Sequence, residues 1–158
     1  MKKTKSILLA AMMAMVGVGL AGCAAPDEGE TSDDWMLRNT INGPGWHVDQ
    51  FKRSDGTWSP WYDYNLFYFW VKFSASKHNF QSEKFYYDEE HKADESTREK
   101  YDDSDNTSYT IRDASIVEAT VNGEPYFRIT LLKEVGSTME CTLYFYREKR
   151  SFDVRMMR

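Results

Sequence analysis

The C-terminal half of the chain alternates apolar and polar residues with a period of two, which is typical of strands buried on one face. Asn122-Gly123 separates two of these runs and favours a two-residue hairpin turn, because both central residues of that turn need positive φ. The pattern therefore predicts antiparallel strands joined by short turns. The alternating apolar positions are Tyr109, Ile111, Val117, Ala119, Val121, Phe127, Ile129, Leu131, Met139, Cys141, Leu143, Phe145, Phe152, Val154 and Met156.

The N-terminal half adds further strands of the same kind. Residues 35–41 favour a short helix or turn, and the following Asn-Gly-Pro-Gly sequence ends it. A strand is predicted from Trp46, a second over the aromatic-rich residues 65–73 and a third over residues 79–87. The whole is an all-β, antiparallel up-and-down meander of about eight strands, closed into a barrel because closure removes exposed strand edges.

Residues 88–106 interrupt the alternation. This segment holds nine acidic residues against Lys92, Arg98 and Lys100. Its composition predicts a long charged loop with a helical turn near residues 95–100. A loop of this length is either functional or a solvated excursion, and the charge run favours the second interpretation.

The start of the chain has the composition of an export signal. Three lysines within the first five residues precede an uncharged apolar run from Ile7 to Leu20, which is too short for a membrane-spanning helix. Leu20-Ala21-Gly22-Cys23 resembles the lipobox of bacterial lipoproteins in every position. The resemblance implies that residues 1–22 are a signal peptide and that lipid is attached to Cys23. The alternative is an ordinary secreted protein with an incidental cysteine at this place.

The residues after Cys23 bear on localisation. Ala24 follows the cysteine, and by resemblance to lipoprotein sorting this favours the outer membrane. The acidic residues 26–30 resemble an export tag that directs lipoproteins to the cell surface, although a solvated tether has the same composition. We therefore predict an acylated Cys23 with a flexible acidic tether over residues 23–34, followed by one domain over residues 35–158.

Charge and cysteine content narrow the classes of partner. Removal of residues 1–22 leaves 17 basic against 25 acidic residues, a net charge of −8, which argues against nucleic acid as a partner. If Cys23 carries lipid, Cys141 is alone and no internal disulfide forms. Cys141 lies among alternating apolar residues and is interpreted as a small buried hydrophobe. The membrane is then contacted through the lipid anchor.

Candidate binding residues come from the aromatic segment. Side chains there either line a cup, form a stacking platform for sugars, or fill the core of the barrel. No nucleophile motif, metal-ligand spacing, phosphate loop or cofactor site is recognised, so no enzyme activity is predicted. The candidate ligand-binding residues are Trp46, Trp58, Trp61, Tyr62 and Trp70.

The domain resembles the lipocalin-like domains of small exported lipoproteins. The resemblance rests on Gly45-Trp46-x-Val48 near the domain start and on the hairpins from Tyr109 onward, and it covers about residues 35–158. It implies a closed up-and-down barrel whose cup binds a small, mostly apolar ligand.

Two functions remain open at this point. The first is a non-catalytic binding module that holds a small apolar or aromatic-stacking ligand, a lipid or a glycan. The second is a filled barrel that docks onto another cell-envelope protein. A binding module needs a cavity of roughly 300–1,000 Å³ lined by aromatic side chains, whereas an interaction protein needs a filled barrel and a recognition patch outside.

Overall fold

The computed structural model describes residues 28–60 and 67–158. One helix precedes a sheet of ten antiparallel strands, of which the second is very short. The predicted signal peptide, Cys23, Trp61 and Tyr62 lie outside the described residues. The elements are α1 (Ser32–Ile41), β1 (Trp46–Lys52), β2 (Trp58–Ser59), β3 (Phe67–Ser74), β4 (Asn79–Tyr87), β5 (Ala93–Tyr101), β6 (Thr107–Arg112), β7 (Ile116–Val121), β8 (Glu124–Val135), β9 (Thr138–Phe145) and β10 (Arg150–Met157).

The sheet curls into a nearly closed barrel, which confirms the predicted all-β barrel. Its strand order is β5-β4-β3-β1-β10-β9-β8-β7-β6, and β2 pairs with β1 beside this path. From β3 to β5 and from β6 to β10, each strand lies next to its neighbour in sequence. The first and last strands pair with each other, with Phe51 opposite Val154.

The alternation of apolar and polar residues in the sequence corresponds to an alternation of buried and more exposed side chains along the strands of the barrel. In β9, Met139, Cys141, Leu143 and Phe145 are buried and the residues between them are half-buried. The same period of two places the apolar side chains of β3 and β10 inside. The strands predicted from the C-terminal half are confirmed, because each carries the apolar stripe that a one-sided core requires.

The predicted charged loop over residues 88–106 is wrong. Most of it is β5, which pairs with β4 and leaves short turns over residues 88–92 and 102–106. The alternation of apolar residues is missing because the inward positions of β5 carry polar groups. Glu99, opposite Lys84 in the ladder, reaches an ion-pair cluster instead of the apolar core. A hydrophobicity pattern cannot detect a strand whose inward side chains are polar.

The predicted boundary between tether and domain is also wrong, because α1 begins at Ser32, inside the tether over residues 23–34. The Thr31 hydroxyl caps the helix by accepting a hydrogen bond from the Asp34 amide at 3.1 Å. Asp34 is itself buried, and its carboxylate accepts a hydrogen bond from the Ala114 amide at 2.6 Å. The short helix or turn expected over residues 35–41 is a helix, and it is longer than expected.

The helix closes one end of the barrel, which we call the helix end. It comprises α1 and the turns at residues 75–78, 113–115 and 136–137. The fully buried Trp46 donates its indole N–H to the Ile41 carbonyl at 3.1 Å, and the Arg158 guanidinium lies 4.5 Å from the ring. The opposite end, with the turns at 53–57, 88–92, 122–123 and 146–149, is called the hairpin end.

Hydrogen bonds from β6 to the start of β4 and the turn before it close the gap between β5 and β6, the two strands at the ends of the sheet path. The Thr107 hydroxyl donates to the Phe80 carbonyl at 2.7 Å and accepts from the Phe80 amide at 3.2 Å. Beside it, the Tyr109 amide donates to the His78 carbonyl at 3.1 Å. These bonds join β6 to β4 and satisfy backbone groups that a fully paired barrel would satisfy in its ladder.

We expect Gly45→Ala to destabilise the protein, because a Cβ at this position would overlap the indole nitrogen of Trp70. The indole must then leave the barrel wall or the strand must shift, at a cost of about 1–3 kcal/mol. Chemical denaturation checks the loss. In a double-mutant cycle with Trp70→Ala, Gly45→Ala should cost less, and an equal cost in both backgrounds would contradict the proposed overlap.

Candidate functional site

Aromatic rings fill the interior of the barrel. Phe67 packs edge-on against Phe51, Phe145 and Phe152, with centroid distances of 5.1, 5.5 and 4.8 Å. Phe69 contacts Phe145 at 5.3 Å, and each of these five side chains is at most 4 % exposed. Four clefts of about 170–350 Å³ among the described residues are lined largely by polar residues of the barrel ends and outer face. The centre of this barrel is a packed core.

A buried cluster of charges lies inside the wall toward the hairpin end. Lys84 is 1 % exposed, and its ammonium group pairs with Glu148 Oε1 and lies 3.6 Å from Glu99 Oε2. The same nitrogen is 4.3 Å from the centroid of the Phe145 ring. Arg147 donates to the other Glu99 oxygen at 2.5 Å. Two cations thus meet two carboxylates directly above the aromatic core.

Tyrosine hydroxyls complete this cluster. Tyr86 donates to Glu148 at 3.3 Å, and Tyr126 donates to Glu99 at 3.2 Å. Burial raises the pKa of Tyr126, and the charge of Glu99 raises it further. Burial works against ionisation of Glu148, yet its hydrogen bond and ion pair with Lys84 hold the pKa of that carboxyl below its ordinary value. Glu148 is therefore a charged acceptor, and Tyr86 and Tyr126 are neutral donors.

Two polar atoms of this region have no hydrogen-bond partner among the described residues. They are the Ser82 hydroxyl, on a residue with no exposed surface, and the second carboxylate oxygen of Glu148. Buried polar atoms of this kind are normally satisfied by an ordered water molecule or a bound group. Ser82 and Lys84 share the inward face of β4, so polar groups follow this strand inside an otherwise apolar barrel.

The structure separates the predicted binding residues that it describes. Trp46 is buried in the helix end and presents no surface to a ligand. Trp70 lies on the outer face of β3, across Gly45. Trp58 belongs to β2 and stacks with Arg155, whose guanidinium carbon is 4.2 Å from the ring centroid. These three side chains line no common cup.

An aromatic face on the outside of β3, β4 and β5 brings together residues that the sequence analysis did not select. Tyr68 and Phe85 are stacked at 4.9 Å, and Phe85 meets Tyr87 edge-on at 5.3 Å. The Arg98 guanidinium lies 4.4 Å from the Phe85 ring and pairs with Glu83. We call Tyr68, Trp70, Phe85, Tyr87 and Arg98 the aromatic face. The sequence feature that indicates this face is the second set of aromatic residues in β3, which points outward. Arg98 was not selected because it lies in the predicted charged loop.

Cys141 is a free thiol with no exposed surface, which confirms its interpretation as a small buried hydrophobe. Burial raises the pKa of this thiol, so the protonated form persists at neutral pH. Over residues 28–60 and 67–158, no three His, Cys, Asp or Glu side chains are grouped to hold a metal ion. Within the same ranges, no helix has the length and apolar character needed to cross a membrane.

Comparisons with known proteins add no assignment. No protein-family model matches the chain, and searches of curated proteins and of solved structures gave no significant match. The resemblance to lipocalin-like domains therefore stays a prediction, as does the resemblance of residues 20–23 to a lipobox.

We expect Lys84→Met to destabilise the fold by about 1–3 kcal/mol, because it leaves the half-buried Glu148 without its cation and Glu99 with Arg147 alone. Thermal and urea denaturation measure the loss. Adding Glu148→Gln should recover part of it, since one uncompensated charge is removed. A single variant as stable as the parent would show that the ion pairs are not needed to close this end of the barrel.

Proposed function

We propose that this chain is an exported lipoprotein, anchored through acylated Cys23, whose filled barrel docks without catalysis onto another cell-envelope protein. The observation that supports it is the aromatic core, because a barrel filled by phenylalanine rings leaves no room for a ligand along its axis. Recognition must then take place on the outside of the barrel. The outer membrane is the proposed location, with display on the cell surface.

The aromatic face is the best candidate for the docking surface. Tyrosine, tryptophan and arginine are the residues that dominate binding energy at protein interfaces. Here Phe85 is already packed between Tyr68 and Arg98, so the half-buried rings lose little conformational freedom on binding. Glu83 fixes the arginine from the side. The face is thus a preorganised surface with both aromatic and charged groups.

The lipid anchor is tested by Cys23→Ser. We expect the parent protein to fractionate with membranes and its N-terminal peptide to carry the mass of a diacylglycerol and a further acyl chain, such as palmitate. Each buried methylene contributes about 0.8 kcal/mol, so two or three chains hold the protein firmly. The serine variant should lose the lipid mass and leave the membrane fraction. A parent protein cleaved elsewhere, or free of lipid, would contradict the anchor.

The docking surface is tested by placing a photoreactive amino acid at Tyr87 in the cell. The matched control is Tyr144, a half-buried outward tyrosine of β9 that lies beside Arg128, on the other side of β1 and β10. Light should produce a discrete protein adduct from position 87, because the aromatic face is in contact with its partner. The measurement is the mass of the adduct on a gel and its identity by peptide sequencing.

Two results would count against this surface. Equal adducts from positions 87 and 144 would indicate random collisions, and no adduct from position 87 in a correctly anchored protein would exclude contact there. A second variant, Tyr68→Ala, removes one stacking partner of Phe85 and should weaken the adduct from position 87, whereas Tyr146→Ala on the control side should not.

A small ligand is the second candidate, supported by the partly exposed Trp58 and the guanidinium stacked on it. An aromatic ring beside charged side chains is suited to binding a glycan. The second class of ligand is an apolar molecule such as a fatty acid. Titration of tryptophan fluorescence with oligosaccharides and fatty acids distinguishes them. A saturable change that Trp58→Ala removes would favour this function over protein docking.

A further inference from the structure

A cleft of about 270 Å³ lies beside the helix end, between α1, the turn at residues 75–78 and β6. Its inner wall holds Arg38, which is 2 % exposed. One guanidinium nitrogen donates to the Ala75 carbonyl at 3.3 Å, and the other donates to Glu30 Oε2 at 2.7 Å. The carboxylate that meets this buried cation thus comes from the acidic segment that precedes the helix.

This ion pair fastens the N-terminal segment to the barrel. The Glu30 side chain is only 13 % exposed, and Glu28 and Gly29 line the same cleft. Loss of either partner would remove a charged hydrogen-bond partner from a group that is largely withdrawn from water, which is unfavourable. The predicted flexible tether is therefore docked from Glu30 onward, and only the residues before it connect the barrel to Cys23.

Chain length then decides which end of the barrel faces the membrane. Six residues lie between Cys23 and Glu30, and the seven steps from one to the other span at most roughly 25 Å when fully extended. The barrel strands, of eight to twelve residues in β8 and β9, are about 26–40 Å long. A lipid attached to Cys23 therefore holds the helix end, where the docked segment begins, closer to the bilayer than the hairpin end.

The helix end also carries the large apolar side chains that are most exposed among the described residues. Met36, on α1, is 57 % exposed, and Leu132 is 63 % exposed. Leu132 lies at an irregularity of the β8–β9 ladder, and the neighbouring Leu131 amide donates to the Ser115 carbonyl, in the turn at residues 113–115, at 2.8 Å. Lys133, which follows it, is exposed. Exposed apolar side chains at one end of a lipid-anchored domain suit the boundary between lipid headgroups and acyl chains.

We propose that the helix end rests on the lipid surface, with Met36 and Leu132 in the interfacial layer and the Glu30–Arg38 pair holding the barrel in this orientation. The proposal rests on the lipid anchor of the proposed function. It assigns a membrane-contacting surface to a chain whose described helix is too short to span a bilayer. It also leaves the aromatic face on the side of the barrel and the hairpin end pointing away from the membrane.

The test uses the full-length acylated protein in vesicles of phosphatidylethanolamine and phosphatidylglycerol. Met36→Cys and Leu132→Cys each carry one environment-sensitive fluorophore, with Asp55→Cys in the exposed turn of the hairpin end as the matched control. Labelling is confined to the new thiol because Cys141 is buried and Cys23 bears the lipid. The readout is quenching by lipids brominated near the headgroup end of the acyl chain.

We expect quenching at positions 36 and 132 to exceed that at position 55 by about threefold or more, because only groups within ~5–10 Å of the acyl boundary meet the bromine atoms. Equal quenching at all three positions in protein that floats with the vesicles would overturn the orientation. Protein that fails to float would instead contradict the lipid anchor, so the two failures are distinguishable.

The role of the ion pair is tested by Glu30→Gln, which keeps the shape of the side chain and removes its charge. The variant should still float with the vesicles, but the difference in quenching between positions 36 and 55 should shrink at least by half, because the barrel is free to tumble on a longer connection. Glu28→Gln, which changes the neighbouring carboxylate of the same cleft, should retain the difference. An unchanged difference in Glu30→Gln would overturn the role of the pair in orientation.

Discussion

Packing of phenylalanine rings from β1, β3, β9 and β10 is the interaction on which the rest of the structure depends. Phe67 alone contacts three of these rings, so the strands that carry them are held at fixed distances around one centre. Protein interiors are packed as densely as organic crystals, and these buried rings pack against one another in the same way. The clefts described above lie instead at the two ends and on the outer face of the barrel.

The two ends of the barrel are closed by different interactions. At the helix end, α1 and the indole of Trp46 extend the apolar core, and one hydrogen bond to Ile41 satisfies the indole nitrogen. At the hairpin end, the buried Lys84 and the half-buried Glu148 form an ion pair above the last phenylalanine rings instead. A buried ion pair stabilises a fold no more than an apolar contact of equal size, but loss of one partner is costly. Charge pairing thus holds the hairpin end together, and β5, one of the strands that bear these charges, lacks an apolar alternation.

This difference explains how far the sequence predicted the structure. Strands β7 to β10 could be recognised because every inward position is apolar, whereas β5 could not, since Glu99 faces inward and pairs with charge. Trp46 and Trp70 lie on neighbouring strands, yet one is in the core and the other on the outer wall, because the pairing register sets Trp46 opposite Val71 and His47 opposite Trp70. Register depends on long-range pairing, which residue type does not reveal. For the same reason, the aromatic face became visible only when Arg98 was placed next to Phe85.

The boundary between tether and domain follows from the same physics. Composition alone places the acidic residues before α1 in a solvated linker, because they add no apolar surface to a core. Arg38 changes that outcome, since a guanidinium with 2 % exposure needs a carboxylate and Glu30 supplies it from outside the barrel. The helix end is therefore complete only when the N-terminal segment is docked. A charged residue that composition assigns to the tether is thus part of the fold, and the Glu30–Arg38 ion pair couples the N-terminal segment to the packing of the domain.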